Sequence, residues 1–415
     1  MQKFIFYFVI ISLCVFQHAT AEEIEDYIIN DKIIEAIDTG PFDSNVAKFP
    51  SNLPIATDLV YRGVQPYQWE MIDKIGDPLN CKDQLQDFQS IDLSLVNTVS
   101  PANCDKDCLQ QEIDKNTHLV LRAGVYRITG SGLLLDNRQL IGHPGERVIL
   151  DARDAPQAIR MSNSRIANLI ILNAQQQGVS VGSDNLIYRV VVGNSGVFFP
   201  YSNEGAGFKL HNLSSQRNCI ISAEAFNGFN HIFNKKKDPC VGCTADGFTI
   251  KHSAGNVTII DAHSHHNSDH GFDFHMGGQA VDESGSPSIR VFYSSATFQG
   301  YHPYHKGGNN EGWKLDGSWP GGFQKSAKRQ KYKAPRLIYG SASCNNKKNG
   351  FSKKGTVEMA FLENDTNDTR KVFFRNWGNQ SLQDPYSLKC EMFADVPIKR
   401  SFELENMPKS SLSDP

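Results

Sequence analysis

The chain reads Gly207-Phe-Lys-Leu210, Gly247-Phe-Thr-Ile250, Gly271-Phe-Asp-Phe274 and Gly312-Trp-Lys-Leu315 at four places, and Gly350-Phe351 is a shorter copy. The shared pattern is a glycine, an aromatic residue, any residue and an apolar residue. The third aromatic residue follows the second by 24 residues and precedes the fourth by 41. These spacings fit one coil and one coil with an inserted loop. We therefore interpret the copies as the same strand on successive coils of a solenoid.

Short β-branched segments make up much of the chain from about residue 119 onward, and Asn, Gly and Ser separate them. Examples are residues 148–151, 168–173, 178–181, 185–194 and 256–260. Strands of this length cannot bury their inner faces singly, so they must stack on one another. The sequence therefore predicts an all-β fold, a right-handed parallel β-helix (solenoid) with an N-terminal helical cap. A β-sandwich is the structural alternative.

Strand alternation divides the four copies into an inner and an outer column. The aromatic residues are predicted to point inward as a stack: Phe208, Phe248, Phe272 and Trp313. The residues that follow them are predicted to point outward in one column, with Lys314 exposed: Lys209, Thr249, Asp273 and Lys314. Because adjacent coils lie about 4.8 Å apart, Asp273 and Lys314 are placed to face one ligand.

The first residues have the character of a signal peptide. Lys3 precedes an apolar run over residues 4–16, and the small residues Ala19 and Ala21 mark a cleavage site. No later stretch has the roughly 20 apolar residues of a transmembrane helix, so we expect a secreted, extracellular protein. Beyond Cys14 the chain holds eight of its nine cysteines, an even number that suits disulfides in an oxidising compartment. Their pairing is left open.

Two helical patterns precede the strand region. Residues 24–37 place isoleucines near helical spacing, and residues 107–115 form a second pattern that leads directly into the first strands. We interpret the second as the cap that closes the end of the solenoid, whereas residues 41–103 match no recognised pattern. The predicted division is a signal peptide (1–21), an N-terminal extension with the helical cap (22–117), a catalytic β-helix (118–400) and a flexible C-terminal tail (401–415).

Composition excludes several classes of partner. With 40% hydrophobic and 21% charged residues the chain is an ordinary globular protein. A net charge of -3 gives no global attraction to a polyanion, so any acidic ligand must be held by local charge or by a metal. We expect no nucleic-acid partner and no membrane association, and we expect a monomer.

Carboxylates gather around the second and third copies of the repeat, at Asp246, Asp269 and Asp273. Carboxylates on outward positions of neighbouring coils repel one another unless a cation lies among them, and hard oxygen ligands favour calcium. Aspartate is also common at coil turns because it tolerates turn geometry. The carboxylates by themselves leave both interpretations open.

Three segments together resemble the signature of the ninth family of polysaccharide lyases: Asp246-Gly-Phe-Thr-Ile-Lys251, Asn267-Ser-Asp-His-Gly-Phe-Asp273 and Glu311-Gly-Trp-Lys-Leu-Asp-Gly317. That family consists of calcium-dependent pectate lyases on a parallel β-helix, with the pattern D-G-F, then D-D-G-W-D, then G-F-K. A looser likeness extends over residues 118–318. Carried over position by position, the resemblance implies calcium (Ca²⁺) ligands at Asp246, Asp269 and Asp273, and a catalytic base at Lys314.

One position differs from the family pattern. His270 stands where the family has the second of two adjacent aspartates, and a neutral imidazole is a poor calcium ligand. His270 also shares a column of the repeat with Asp246 and Glu311, each two residues before its aromatic residue. His270 or Glu311 is therefore a further candidate metal ligand.

The activity that the resemblance implies is calcium-assisted β-elimination in pectate or a similar polyuronate. The proton next to the uronate carboxylate is weakly acidic, so a cation must neutralise the carboxylate while a base removes the proton. An unperturbed lysine has a pKa of about 10.4 and is protonated at neutral pH. Lys314 can act as a base only if its surroundings lower this pKa.

Other features leave alternatives open. A basic run would hold a polyuronate chain or lie in a solvated loop: Lys325, Lys328, Arg329, Lys331, Lys333 and Arg336. A β-helix that binds polysaccharide without cleaving it, with a degenerate metal site, is the second hypothesis. A glycoside hydrolase on the same architecture would need an acid and a base carboxylate about 5–10 Å apart. The histidines at 252–275 show no recognised zinc spacing and are expected at turns and on the surface.

Overall fold

The structure is a computed structural model, and it describes the core of the chain with gaps. The described residues are 64–104, 108–196, 205–211, 215–230, 245–251, 254–274, 288–300, 311–315, 336–352, 359–362, 364–366 and 387–390. The predicted signal peptide, the helical pattern at 24–37 and the C-terminal tail lie outside these residues.

Parallel β-strands form two sheets in this part of the chain, one of 17 strands and one of 8. The larger sheet contains β1 (Asn97–Val99), β2 (His118–Leu121), β3 (Gly124–Thr129), β5 (Gln139–Gly142), β6 (Val148–Asp154), β8 (Arg165–Leu172), β10 (Leu186–Gly193), β12 (Gln216–Ile221), β13 (Glu224–Phe226), β15 (Gly255–Ile260), β16 (His263–His265), β18 (Ile289–Phe292), β19 (Ser295–Thr297), β21 (Arg336–Tyr339), β22 (Ala342–Cys344), β24 (Met359–Leu362) and β25 (Asp365–Thr366). The smaller sheet contains β4 (Leu133–Asp136), β7 (Gln157–Ser162), β9 (Gln177–Val181), β11 (Ala206–His211), β14 (Phe248–Lys251), β17 (Phe272–Asp273), β20 (Trp313–Lys314) and β23 (Phe351–Ser352).

The larger sheet consists of two ladders that are joined in their early coils. The strands β8 and β10 are 8 residues long and pair with strands of both ladders. Later coils break this long strand in two, as in β12 and β13. With the smaller sheet, each coil therefore contributes to three parallel ladders. The predicted parallel β-helix is confirmed, and the β-sandwich alternative is wrong because every strand pairing described is parallel.

The aromatic stack predicted from the repeat runs through the inside of the smaller sheet. Register pairs Phe208 with Phe248, Phe248 with Phe272, and Phe272 with Trp313. Their ring centroids lie 4.9, 4.9 and 3.9 Å apart in sequence order, each pair stacked. All four rings are fully buried, and Phe351 continues the stack at 5.5 Å from Trp313.

The glycine before each aromatic residue has a steric reason. A Cβ atom on Gly247 would lie 2.0 Å from the Ser264 hydroxyl oxygen, and one on Gly312 would lie 2.0 Å from the Ser343 hydroxyl oxygen. Real Cβ atoms do not approach so closely, so only glycine fits where this ladder meets the opposite one. Each copy of the repeat therefore marks two features of a coil. The glycine lies where the opposite ladder leaves no room for a Cβ atom, and the aromatic residue adds a ring to the stack.

Removal of one ring from the stack should cost much stability. We expect Phe272→Ala to lower the free energy of unfolding by about 3–5 kcal/mol, because it leaves a cavity in a fully buried column. Urea denaturation followed by circular dichroism measures this change. The matched control is Leu134→Ala on β4, whose side chain is 52% exposed and whose loss should cost less than about 0.5 kcal/mol. Equal losses in the two variants would contradict the stacked core.

Three helices precede or enter the solenoid: α1 (Pro66–Ile75), α2 (Cys81–Gln89) and α3 (Cys108–Lys115). Two short 3₁₀ turns, Leu93–Leu95 and Pro101–Asn103, separate α2 from α3. Leu109 and Ile113 lie four residues apart on one face of α3 and join the same buried cluster as Leu119 of β2. The helix predicted at 107–115 is confirmed, and its apolar face packs on the first coils as a cap does.

The described part of the segment that matched no recognised pattern, residues 64–103, lies along the side of the solenoid. Ile72, Leu85 and Phe88 of α1 and α2 pack with the outward side chains of the larger sheet, including Ile221 and Ile260. A disulfide between Cys81 and Cys219 ties α2 to β12 across 138 residues of sequence. Disulfides also join Cys104 to Cys108 and Cys344 to Cys390. Among the described helices, none has the length and apolar character needed to cross a bilayer.

Candidate functional site

The outer column of the smaller sheet brings together the central residues of the sequence motif. Register aligns Lys209 with Thr249, Thr249 with Asp273, and Asp273 with Lys314. This alignment is the one that strand alternation predicted. The Lys314 Nζ atom lies 3.3 Å from the Asp273 Oδ2 atom, so the two side chains form a salt bridge between adjacent coils.

Lys314 is not exposed as the sequence analysis expected, and two of its neighbours in the column are buried. Thr249 and Asp273 are buried, and the Lys314 side chain keeps 16% of its exposure. A side chain that points outward from a strand need not contact water. Asp273 points outward, but its carboxylate contacts the ammonium groups of Lys251 and Lys314. Asp246, Asp269 and His270 are also buried. These charged and polar groups therefore interact at low solvent exposure, where electrostatic interactions are strong.

Lys251 is the residue that the sequence analysis did not assign. Its Nζ atom lies 3.1 Å from the Asp246 Oδ2 atom and 3.0 Å from the Asp273 Oδ2 atom. Its side chain is 11% exposed. The ammonium group thus lies between two carboxylates that belong to adjacent coils. A signal was present in the sequence, because Lys251 is two residues after Thr249 and strand alternation places both on the outer face.

Asp246 precedes β14 and is held on several sides. Its Oδ1 atom accepts a hydrogen bond from the His270 backbone N–H at 3.2 Å. Its Oδ2 atom accepts from the Thr249 hydroxyl at 3.1 Å and from the Lys251 ammonium at 3.1 Å. These contacts join two adjacent coils at one carboxylate and fix its orientation.

Asp246, His270 and Asp273 form a group that can hold a metal ion. One ligand atom of each lies within 4.8 Å of the others, and all three side chains are buried. Asp269 lies beside this group, with its Oδ1 atom 3.5 Å from the His270 Nε2 atom. Two carboxylates and one imidazole thus lie close together, and the carboxylate of Asp269 lies next to the imidazole.

Glu311, the other candidate ligand, is held by the next coil. Its Oε1 atom accepts a hydrogen bond from the Asn349 amide at 2.8 Å, and its Oε2 atom accepts from the Ser352 hydroxyl. The same Oε2 atom lies 3.8 Å from the His270 Nδ1 atom. In this arrangement Glu311 contacts the imidazole from the side opposite Asp269 and is not part of the three-residue group.

The two lysines determine the protonation of Asp273. Burial by itself raises the pKa of this carboxyl group, but the ammonium groups of Lys251 and Lys314 outweigh it and hold the pKa well below its usual range. Asp273 therefore carries a negative charge at any physiological pH.

The pKa of Lys314 is displaced in the direction opposite to the one that a base needs. Burial lowers the pKa of its ammonium group, but the carboxylates of Asp273, Asp246 and Asp269 outweigh burial and raise the pKa above its ordinary value. The sequence analysis required a lowered pKa for this lysine. The protein groups around Lys314 do not meet that requirement, because the nearby carboxylates stabilise the ammonium form.

Three further histidines close to the site in sequence lie on a different ladder. His263, His265 and His266 are buried at or next to β16 in the larger sheet. His263 contacts Ser295 and Asp261, and the His265 Nε2 atom lies 2.5 Å from the Glu224 Oε1 atom. The expectation of surface histidines is therefore wrong for these residues, whereas His266 does lie at the turn that follows β16. Five residues of the predicted basic run lie outside the described residues: Lys325, Lys328, Arg329, Lys331 and Lys333. Arg336 is fully buried at the start of β21, so its predicted place in a substrate-binding or solvated loop is wrong.

The profile of a known family matches most of the solenoid. The family described as Pel9A-like, right handed beta helix region matches residues 110–374. The match covers more than half of the chain and includes every residue of the candidate site. No curated protein matches the chain.

Several solved structures have a similar fold at low identity. One is titled as the crystal structure of pectate lyase Pel9A, at 17% identity and a TM-score of 0.47, over 68% of this chain and 72% of that one. Another is a rhamnogalacturonan lyase at 14% identity and a TM-score of 0.43, over 60% and 65%. A third is the A-module of the Azotobacter vinelandii mannuronan C-5 epimerase AlgE6, at 16% identity and a TM-score of 0.43, over 63% and 66%.

Proposed function

This chain belongs to the Pel9A-like right-handed β-helix family, and on that basis we propose that it is a secreted polysaccharide lyase that cleaves pectate or a similar polyuronate by β-elimination. The observation that carries the proposal is the position of Lys314. Its amine lies 3.3 Å from Asp273, on the coil that follows the Asp246, His270 and Asp273 group. A proton acceptor thus stands next to a place that can hold a cation.

The reaction needs these two elements side by side. A base must remove the proton next to the uronate carboxylate, and the negative charge that develops on that carboxylate must be stabilised. A bound divalent cation would neutralise the substrate carboxylate and offset the field of the protein carboxylates that keeps Lys314 protonated. In our proposal Lys314 then accepts the proton through its Nζ atom.

The residues present fit a divalent cation. Asp246 and Asp273 offer hard carboxylate oxygens within reach of one another, and Asp269 adds a third carboxylate nearby. Calcium, the ion that the family pattern implies, takes oxygen ligands of this kind. We propose Asp246, Asp269 and Asp273 as its ligands. Lys251 would have to withdraw from between the carboxylates, since an ammonium group and a cation cannot share that position.

The substrate is proposed to be an acidic polysaccharide, bound with its carboxylates toward the site. Lys251, once displaced, keeps a positive charge close to the site and is suited to pair with a uronate group. Lys325, Lys328 and Arg329 are proposed to hold the polymer further along the chain. We expect the protein to act as a monomer outside the cell.

One observation favours a second candidate, a β-helix that binds polyuronate without cleaving it. Both ammonium groups of the site are paired with carboxylates, and the pKa of Lys314 is raised. A protein that kept this arrangement with substrate bound would recognise the polymer but would have no base.

The product distinguishes these functions. We expect the purified protein, incubated with polygalacturonate and a divalent cation, to release unsaturated uronides that absorb in the ultraviolet, because β-elimination creates a carbon–carbon double bond. The matched control is the Lys314→Ala variant under the same conditions. New reducing ends without ultraviolet absorbance would indicate hydrolysis, and stable binding with neither product would support the non-catalytic function.

A further inference from the structure

His270 has no counterpart in the carboxylate pattern of the family, and its environment is unusual for a buried histidine. Its side chain is fully buried, and neither ring nitrogen makes a hydrogen bond within the described structure. A buried polar group without a hydrogen-bonding partner destabilises the folded state. Such groups in folded proteins usually indicate a functional role or a missing ion. Among the described residues, no group lies in hydrogen-bonding geometry to the imidazole, which therefore has a nitrogen available for a ligand.

The imidazole is directed into the acidic group. One of its ring nitrogens belongs to the set of ligand atoms that lie within 4.8 Å of one another in Asp246, His270 and Asp273. Carboxylates lie close to both ring nitrogens, at 3.5 Å for Asp269 and at 3.8 Å for Glu311. Whichever nitrogen binds an ion, the other can direct its N–H toward a carboxylate. Histidine ligands of metals have this arrangement, which fixes the tautomer and strengthens the bond to the metal.

The type of ligand atom, oxygen or nitrogen, determines which metal ion a site binds more tightly. Calcium takes oxygen ligands, and a neutral imidazole is a weak ligand for it, whereas zinc and its neighbours bind imidazole nitrogen together with carboxylate oxygen. We infer that Asp246, His270 and Asp273 form a site for a divalent transition-metal ion, with zinc as its representative, and that this site binds zinc more tightly than calcium. The inference deepens the proposed function, since it concerns the cation of the same site.

Lys251 lowers the affinity of the site for any cation. Its ammonium group neutralises Asp246 and Asp273 in the metal-free protein and lies between them. Every divalent ion must displace it, so Lys251 weakens zinc and calcium alike. His270 acts differently, because its nitrogen stabilises zinc and contributes little to calcium. The two residues therefore have separable effects, one on affinity in general and one on the preference between ions.

The test is metal binding by the full chain without substrate. Isothermal titration calorimetry of the metal-free protein with zinc, manganese and calcium chloride measures each affinity, and thermal unfolding with each ion measures the stabilisation. We expect one zinc site and the order zinc, manganese, calcium from tightest to weakest, which follows the rise in affinity for nitrogen donors along the series. Calcium binding as tightly as zinc would overturn the inference.

Variants separate the two residues. His270→Asp should weaken zinc by at least about 10–100-fold, since losing even an outer partner of a metal ligand has an effect of that size, and should strengthen calcium. Lys251→Met should strengthen both ions and leave their ratio unchanged. A His270→Asp protein with the ion preference of the wild type would overturn the inference.

The location of the ion is tested with two further variants. Asp246→Asn and Asp273→Asn should each remove the zinc site, and near-ultraviolet circular dichroism shows which of them keeps the native fold. Zinc binding that survives in a folded variant would place the ion at another histidine and overturn the inference. None of these measurements uses activity. Failure of the lyase assay with normal zinc binding would count against the proposed function alone.

Discussion

Replacement of Lys314 by alanine should lower the rate of polyuronate cleavage by about 10²–10⁴-fold, the usual loss when a general base is removed. The amine lies beside Asp273, on the coil next to the metal-binding group, and no change to the metal ligands is involved. Initial rates of ultraviolet absorbance increase with polygalacturonate measure the effect. A Lys314→Ala protein with wild-type rates would exclude this residue as the base.

Two matched variants sharpen the test. Lys314→Arg should lose almost as much activity, because a guanidinium group stays protonated at any workable pH. Lys209→Ala should keep most of the activity, since Lys209 lies in the same outer column two coils before Asp273. If Lys314→Arg retained near-full activity, or if Lys209→Ala were the more damaging change, the assignment would be wrong.

The rate of the wild-type protein should increase with pH in the alkaline range. The base must be the neutral amine, and nearby carboxylates raise the pKa of Lys314. The neutral fraction therefore grows as the pH approaches that pKa from below. A rate that falls steadily from neutral to alkaline pH, with the fold intact, would argue against an amine base.

Lys314 also contributes to stability, contrary to the expectation for an exposed residue. Its side chain is 16% exposed and is paired with Asp273. We expect Lys314→Ala to lower the free energy of unfolding by about 1.5–3 kcal/mol, the range for a hydrogen bond to a charged group. Lys251 still neutralises Asp273 in the variant, so the protein should fold, and circular dichroism provides the check.

Removal of divalent cations should abolish cleavage. Without a cation, the uronate carboxylate would meet the carboxylates of Asp246, Asp269 and Asp273, and Lys314 would remain protonated because those same carboxylates raise its pKa. The measurement is the initial rate in excess chelator, followed by titration with calcium and with zinc to restore it.

The fold should survive this treatment, which separates a catalytic role of the ion from a structural one. Lys251 keeps Asp246 and Asp273 paired in the metal-free state, so the circular dichroism spectrum should be unchanged in chelator. Full activity in chelator would mean that the two lysines alone provide the positive charge, and the metal-dependent mechanism would be wrong.

The sequence alone determined the solenoid and the two columns of its smaller sheet. The aromatic stack from Phe208 to Trp313 and the outer column from Lys209 to Lys314 both follow from a repeat and from strand alternation. The alternation of side chains between the two faces of a strand is a property of the local backbone. Parallel pairing of equivalent strands repeats it from one coil to the next. The helix α3 could be predicted for the same reason, because its apolar spacing is local.

Only the tertiary structure decided which groups neutralise the carboxylates of the site and where the helices α1 and α2 pack. Lys251 bridges Asp246 and Asp273, the His270 imidazole lies close to both carboxylates, and Cys81 pairs with Cys219. Each of these contacts depends on the direction of a side chain or on a meeting of distant segments. A periodic pattern gives the face and the coil of a residue, but it does not give its rotamer or its nearest charge. The rotamer and the ion pairs of a buried charged side chain depend on the balance between desolvation and ion pairing. That balance exists only once the coils are stacked.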